Sequence, residues 1–150
     1  MTRFSRQSER VLRRAGWYPG RQVPELVSKW KSHPYIADLE MFETAERFLL
    51  EFGGIAVTQS GPGVNLARSP FKIDPTLAYH QSELFKELGR MVDTRLYPLG
   101  EAEDGWYYLA IGENGRVYYV MQDIVLAGYT EDEALENLLI GRRVTPGRGP

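Results

Sequence analysis

The sequence predicts a single domain in which a β-sheet, centred on a hairpin at 106–121, is covered by helices. Strand-type residues fill Trp106–Ile111 and Arg116–Met121, and the Gly112–Gly115 segment between them contains Asn-Gly, a strong hairpin signal. Apolar residues recur at helical spacing in 36–52. A chain of 150 residues is long enough to bury one core.

The hairpin residues divide between two faces of the predicted sheet. An even-length loop places one set on the first face: Tyr107, Leu109, Ile111, Tyr118 and Val120. It places the other set on the second face: Trp106, Tyr108, Ala110, Val117, Tyr119 and Met121. Because neither face is polar, we expect the hairpin at the centre of the sheet, with helices on one side. The other side is then a candidate functional surface.

Capping and breaking residues delimit the helices. Ser5 caps a first helix that runs to about Ala15, and Pro24 opens a second that ends by His33-Pro34. The third covers 36–52 and ends at Gly53-Gly54. The remaining two are opened by Asp74-Pro75, running to Gly89, and by a capping box of Thr130 and Glu133, closed by Gly141.

The other strands are shorter and more weakly marked. They are predicted at Ile55–Gln59, Phe71–Ile73, Met91–Leu99 and Ile124–Leu126. The domain is expected to cover 1–141. The tail 142–150, rich in Pro, Gly and Arg, is expected to be disordered.

Composition excludes several classes of function. The chain has no cysteine, which rules out disulfides, thiolate metal sites and a cysteine nucleophile, and which suits a reducing cytosol. No apolar run reaches transmembrane length, and the first residues lack the apolar core of a signal peptide. We therefore expect a soluble, cytoplasmic protein without a membrane partner.

The candidate chemistry is equally sparse. His33 and His80 lack metal-ligand spacing, and the glycine-bearing turns lack the spacing of a phosphate-binding loop. Glu101, Glu103 and Asp104 lie in a predicted exposed loop, where water keeps carboxylates ionised and unsuited to proton transfer. We expect no catalytic residue, no metal and no cofactor.

Charge is unevenly distributed along the chain. Residues 1–31 carry a local net charge of +6, and residues 93–140 carry −8. Since the arginine-bearing first helix has no interleaved aromatic residues, direct nucleic-acid binding is not expected. The acidic loop leads straight into an aromatic run, a combination typical of interface anchors with a steering rim. The candidate partner-binding residues are Glu101, Glu103, Asp104, Trp106, Tyr108 and Glu113. The alternative is that the acids are solvated surface and the aromatics are core.

A set of ordered motifs gives a family resemblance over nearly the whole chain. The motifs are Leu12–Trp17 with Pro19–Arg21, Ala45–Leu49 with Glu51–Gly54, Phe71 with Asp74-Pro75, Leu88-Gly89, Pro98–Gly100, Gly115–Tyr118, and Ala134-Leu135 with Leu138-Leu139 and Gly141. In order and spacing the chain resembles the SUKH superfamily, in the subgroup found in bacterial polymorphic toxin systems.

The resemblance implies an α+β fold with a twisted, largely antiparallel sheet. It also implies a non-catalytic immunity protein that binds and neutralises a cognate toxin, commonly a nuclease or a nucleic-acid deaminase, which we expect to be basic. No contact residue is carried over from the family. A general protein-interaction module of the same fold is the alternative, and an enzyme acting through the 101–104 carboxylates is a third. The oligomeric state, monomer or homodimer, is left open.

Overall fold

The computed structural model describes residues 3–34 and 39–144 of the chain. These residues form one α+β domain, as predicted. The helices are α1 (Arg6–Arg14), α2 (Pro24–Lys31), α3 (Glu43–Phe52), α4 (Ser82–Met91) and α5 (Glu131–Ile140). The strands are β1 (Ala56–Val57), β2 (Phe71–Ile73), β3 (Leu96–Ala102), β4 (Tyr107–Gly112), β5 (Val117–Val120) and β6 (Ile124–Gly128).

The six strands form one antiparallel sheet in chain order, β1 to β6. The hairpin of β4 and β5 therefore lies inside the sheet, with β3 on one side and β6 on the other. This confirms the prediction of a largely antiparallel sheet with the hairpin near its centre.

The register of the hairpin differs from the predicted one. Ile111 lies opposite Val117, and the Gly112 amide donates a hydrogen bond to the Arg116 carbonyl at 2.8 Å. The loop is thus three residues, Glu113 to Gly115, and it closes with Gly115 at a φ of +87°. A three-residue loop commonly ends in a left-handed glycine. The odd length exchanges the faces of β5, so the even-loop prediction was wrong.

Both faces of the sheet are covered, not one as predicted. On the first face, Leu109, Ile111 and Val117 belong to the main core. That core includes residues of α1, α3 and α5: Leu12, Phe48, Leu49, Phe52, Leu135 and Leu139. On the second face, Ala110, Tyr118 and Val120 form a smaller cluster with Ala78, Phe85 and Leu88, which belong to a 3-10 helix at Pro75–Ala78 and to α4.

The caps were predicted correctly, but several boundaries were not. Ser5 accepts a hydrogen bond from the Ser8 amide at 3.2 Å, and Thr130 accepts one from the Glu133 amide at 3.1 Å. Helix α3 begins only at Glu43, because Phe42 before it is extended (φ −73°, ψ 172°). Part of the predicted helix, 36–38, lies outside the described residues. The predicted 74–89 helix is split, since Gln81 leaves the helical region (φ −114°, ψ 22°).

The strand predictions need smaller corrections. Strand β1 has two residues where five were predicted, and β3 begins at Leu96 and continues through Ala102. Glu101 is consequently a strand residue and not part of a loop.

The predicted tail is described as far as Val144. The Arg142 side chain donates to Asn137 Oδ1 at 2.8 Å, and the Arg143 amide donates to Asn65 Oδ1 at 2.9 Å. Residues 145–150 lie outside the described residues.

Candidate functional site

Five of the predicted binding residues lie together where β3 connects to β4. Glu101 and Tyr108 are opposite each other across the two strands. Glu103 and Asp104 lie in a 3-10 turn that spans Glu103–Gly105, and Trp106 follows it. We call this group, Glu101, Glu103, Asp104, Trp106 and Tyr108, the acidic end.

The connecting turn is built from left-handed backbone. Glu103, Asp104 and Gly105 have φ values of +53°, +55° and +92°. A left-handed conformation costs a residue with a side chain roughly 1–2 kcal/mol. Hydrogen bonds hold the turn: the Glu103 amide donates to the Pro70 carbonyl at 2.9 Å, and the Trp106 amide donates to the Glu103 carbonyl at 3.2 Å. Such strain motivates a functional hypothesis.

The turn leaves its aromatic residue in solvent. The Trp106 side chain is 73% exposed, the largest exposure among the large apolar residues of the described chain. Tyr108 differs, because its half-buried ring contacts the Phe85 ring at a centroid distance of 6.0 Å. Trp106 can thus act as an anchor for a partner, whereas Tyr108 also packs against α4.

The carboxylates of the acidic end have no cationic partner in the part of the chain that the structure describes. The Ser69 hydroxyl donates to Glu103 Oε1 at 3.3 Å. Among residues 3–34 and 39–144, no Lys, Arg or His lies at ion-pair distance from Glu101, Glu103 or Asp104. Their charge is therefore available to an outside partner.

The remaining predicted residue, Glu113, lies at the opposite end of β4. The six residues of β4 separate it from Trp106, a span of about 23 Å. Its carboxylate is ion-paired with Arg95, which also binds Glu40 Oε2 at 2.7 Å through Nη1 and lies over the Phe42 ring. We call Glu40, Arg95 and Glu113 the arginine end. The fold therefore separates Glu113 from the other five candidate binding residues.

The pairing has an electrostatic consequence. The hydrogen bond from Arg95 holds the pKa of the Glu113 carboxyl below its usual range. The negative charge of Glu113 is therefore already balanced by Arg95, unlike the charges of the acids at the other end of the strand.

A groove on the first face of the sheet was not anticipated from the sequence. Its volume is about 340 Å³, and it lies between the sheet and the C-terminal part of α5. The apolar lining includes Leu66, Tyr107, Tyr119, Val125 and Leu138, with Glu103, Arg142 and Arg143 among its charged residues. The Tyr107 and Tyr119 rings contact at 5.7 Å, and burial, with smaller effects of Glu103 and Tyr107, raises the pKa of Tyr119 to about 12.

The groove escaped sequence reasoning for two reasons. Its lining comes from segments that are far apart in the chain, 66–69, 102–107, 119–127 and 137–143. In addition, the assumed hairpin register put Tyr107 and Tyr119 on opposite faces. The three-residue loop was the signal that could have placed them together.

Comparison with known families gives one match. The family described as SUKH-3 immunity protein matches residues 4–141, nearly the whole chain. The chain belongs to the SUKH-3 immunity protein family. The predicted SUKH resemblance is thus confirmed. No curated protein and no solved structure matches the chain.

Membership of the SUKH-3 family implies an immunity function against a toxin. In the described part of this SUKH-3 chain, no helix is long and apolar enough to cross a membrane. The same residues contain no group of three or more His, Asp or Glu side chains arranged to hold a metal ion. The chemistry of the acidic end is that of a binding surface: the exposed Asp104 and two half-buried glutamates lie beside an exposed indole.

Proposed function

We propose that this SUKH-3 protein neutralises its toxin without catalysis, by direct contact through the acidic end. The toxin is a nuclease or a nucleic-acid deaminase whose basic cleft receives Glu101, Glu103 and Asp104, with Trp106 as the anchor. The observation that supports this most is the 73% exposure of Trp106 beside three carboxylates that have no ion-pair partner among residues 3–34 and 39–144.

Electrostatics favour a basic partner. Residues 93–140 carry a local charge of −8, and the acidic end is the part of this region where carboxylates lie unpaired beside an exposed aromatic residue. Complementary charge accelerates association, and it does so less at high salt. Enzymes that act on nucleic acid need a basic surface to bind phosphates, so an acidic surface can compete for it.

The aromatic residues provide the second part of the argument. Tryptophan is enriched among the residues that dominate binding energy at protein interfaces. Tyr108 supports the position of the turn from the neighbouring strand, since its ring is held against Phe85. We place this activity in the cytoplasm and without a cofactor. We propose no direct nucleic-acid binding, because the charge at the proposed contact is negative.

The test begins with the identity of the partner. The tagged protein is used to capture proteins from its native cells, the complex is washed at rising salt, and retained proteins are identified by mass spectrometry. We expect one dominant protein with a basic toxin domain. A diffuse set of partners without a toxin would contradict the proposal and favour a general interaction module.

The second step tests the surface with the recombinant toxin domain. The triple variant Glu101→Lys, Glu103→Lys, Asp104→Lys should bind at least about 100-fold more weakly, with a smaller salt dependence. The matched control is Glu83→Lys, Glu87→Lys, Asp93→Lys, which changes three exposed acids on and after α4. Equal affinity and equal salt dependence of the two triple variants would remove the acidic end from the interface.

A further inference from the structure

The two edges of the sheet are not equivalent. Strand β1, at one edge, has only two residues. Strand β6, at the other, has five, Ile124–Gly128, with neither a charged side chain nor a proline. Proteins usually protect a sheet edge with short strands, charges or proline, because an open edge pairs with other strands. Between Ile124 and Leu126, strand β6 itself has neither a charge nor a proline.

The hydrogen bonds show which backbone groups of β6 face outward. The Met121 amide donates to the Asp123 carbonyl at 2.9 Å, which makes these two residues a hydrogen-bonded pair at the start of the β5–β6 ladder. Because such pairs alternate along antiparallel strands, Val125 is bonded to Tyr119, and the backbone groups of Ile124 and Leu126 point away from the sheet.

The open part of this edge is bounded at both sides. The outward Ile124 amide donates to the Asp123 side chain at 2.9 Å. A register shift interrupts the β5–β6 ladder after Leu126, and there the Ala127 carbonyl accepts a hydrogen bond from Asn137 Nδ2 of α5 at 2.8 Å. Ile124 to Leu126 therefore remain for a partner strand, with the Val125 side chain 55% exposed between them.

We propose that the occupant of this edge is β6 of a second copy, paired antiparallel about a two-fold axis at Val125. In this register Ile124 lies opposite Leu126 of the second copy. The Leu126 amide donates to the Ile124 carbonyl, and the Ile124 amide exchanges its Asp123 acceptor for the Leu126 carbonyl. Val125 lies opposite Val125 of the second copy as a non-hydrogen-bonded pair, in which side chains approach most closely. The two exposed valines then bury each other.

The charges at the ends of the open segment favour a second copy. In the same register Asp123 lies opposite Ala127 of the second copy. Asn137 bonds to Ala127 and also accepts the hydrogen bond from the Arg142 guanidinium at 2.8 Å, so Arg142 lies beside that position. Within the described residues neither Asp123 nor Arg142 has an ion-pair partner. The two-fold axis brings these opposite charges together twice.

The absence of cysteine allows a direct test of the register. In Val125→Cys, the single thiol faces its copy across a non-hydrogen-bonded pair, whose Cα separation suits a disulfide. With a mild oxidant, we expect a disulfide-linked dimer to form at least about tenfold faster than in either control. The controls are Gln122→Cys, whose thiols lie roughly 20 Å apart in this register, and Met91→Cys at the end of α4, where Met91 is 65% exposed.

Sedimentation of the uncrosslinked protein is the second measurement. The mass should rise with concentration toward twice the chain mass of 17.1 kDa. Val125→Lys should remain monomeric because it opposes two like charges, whereas the equally polar Met91→Lys should still dimerise. A monomer at every concentration, or crosslinking of Val125→Cys no faster than the controls, would overturn the proposal.

These measurements need no toxin, so their failure is independent of the proposed function. One outcome would reassign the edge. If the protein alone is monomeric and Val125→Lys abolishes toxin capture while Met91→Lys does not, the occupant of β6 is a strand of the toxin and the second copy is excluded.

Discussion

Carboxylates lie at both ends of strand β4, but at only one end are they ion-paired with a cation of the described chain. At the arginine end, Arg95 binds both Glu40 and Glu113 and lies over an aromatic ring. At the acidic end, the Ser69 hydroxyl contacts Glu103, and no cation among the described residues pairs with its carboxylate. The first arrangement stabilises the protein by itself, whereas the second has charge left for a partner.

The difference shows that a local run of acids does not by itself define a binding surface. Arg95 reaches Glu40 across 55 positions of the chain, and it neutralises a carboxylate that the local sequence presents as free. The local charge of −8 in 93–140 is thus an upper limit on what a partner can meet. Availability depends on distant cations that only the fold brings close.

Among single substitutions, the largest effect that would sharpen this contrast is expected from Trp106→Ala. The variant should lose about 2 kcal/mol or more of toxin binding, roughly 30-fold in affinity, because a buried tryptophan anchor is removed from the interface. Its free energy of unfolding should change by less than about 0.5 kcal/mol, because the side chain makes few contacts within the protein. Calorimetry of binding and denaturant titration measure the two quantities.

Tyr18→Ala provides the control for Trp106→Ala. Tyr18 is also aromatic and 53% exposed, but it lies in the turn after α1, far along the chain from the acidic end. The affinity of the Tyr18→Ala variant for the toxin should equal that of the unchanged protein. Equal losses in the two variants would show that exposed aromatic area in general, and not the acidic end, governs binding.

A smaller and opposite pattern is expected from Thr44→Val at the arginine end. The Thr44 hydroxyl donates to the Gly112 carbonyl at 2.9 Å and so ties α3 to the end of β4. Removing this part-buried hydrogen bond should cost about 1 kcal/mol of folding stability, measured by denaturant titration, and leave toxin affinity unchanged. Ser69→Ala, which removes the longer bond to Glu103, should cost less stability. A loss of affinity in Thr44→Val would couple the two ends and break the contrast.

The parts of the fold that the sequence predicted well are those that depend on neighbouring residues. Ser5 and Thr130 each cap a helix whose bonded amide lies three residues away, and Gly141 closes α5 in the left-handed conformation it was expected to adopt. Such features need no distant contact to form. For that reason the helix ends near these residues were placed correctly.

The register of the hairpin was missed because one residue decides it. Both a two-residue and a three-residue loop fit a segment that contains Asn-Gly, and apolar residues on both faces gave no pattern to discriminate between them. The additional loop residue moved Val117 and Tyr119 to the first face. The groove is lined by Tyr107 and Tyr119 on that same face, so the wrong register also prevented its prediction.

The candidate site shows the same difference between residues that are neighbours in the chain and residues that only the fold brings together. Glu103, Asp104 and Trp106 are adjacent in the chain, and the fold keeps them together. Glu113 was grouped with them because it is also acidic. Its charge does not predict its distance from them, and strand β4 lies between. Its true neighbours, Arg95 and Glu40, belong to segments that no local pattern connects to the hairpin.

The smallest expected effect is the pH dependence of the arginine end. The Arg95 hydrogen bond lowers the pKa of Glu113 in the folded protein, so the ion pair contributes stability above the ordinary carboxyl pKa of 4.5 and loses it as the pH falls through the lowered value. Unfolding free energies of the unchanged protein and Glu113→Gln should therefore differ slightly at pH 7 and converge in acid. Since the pair is exposed, salt at about 1 M should also bring the two together at pH 7. A difference that grows as the pH falls would show that Glu113 is not held by Arg95, and the contrast between the two ends of β4 would fail.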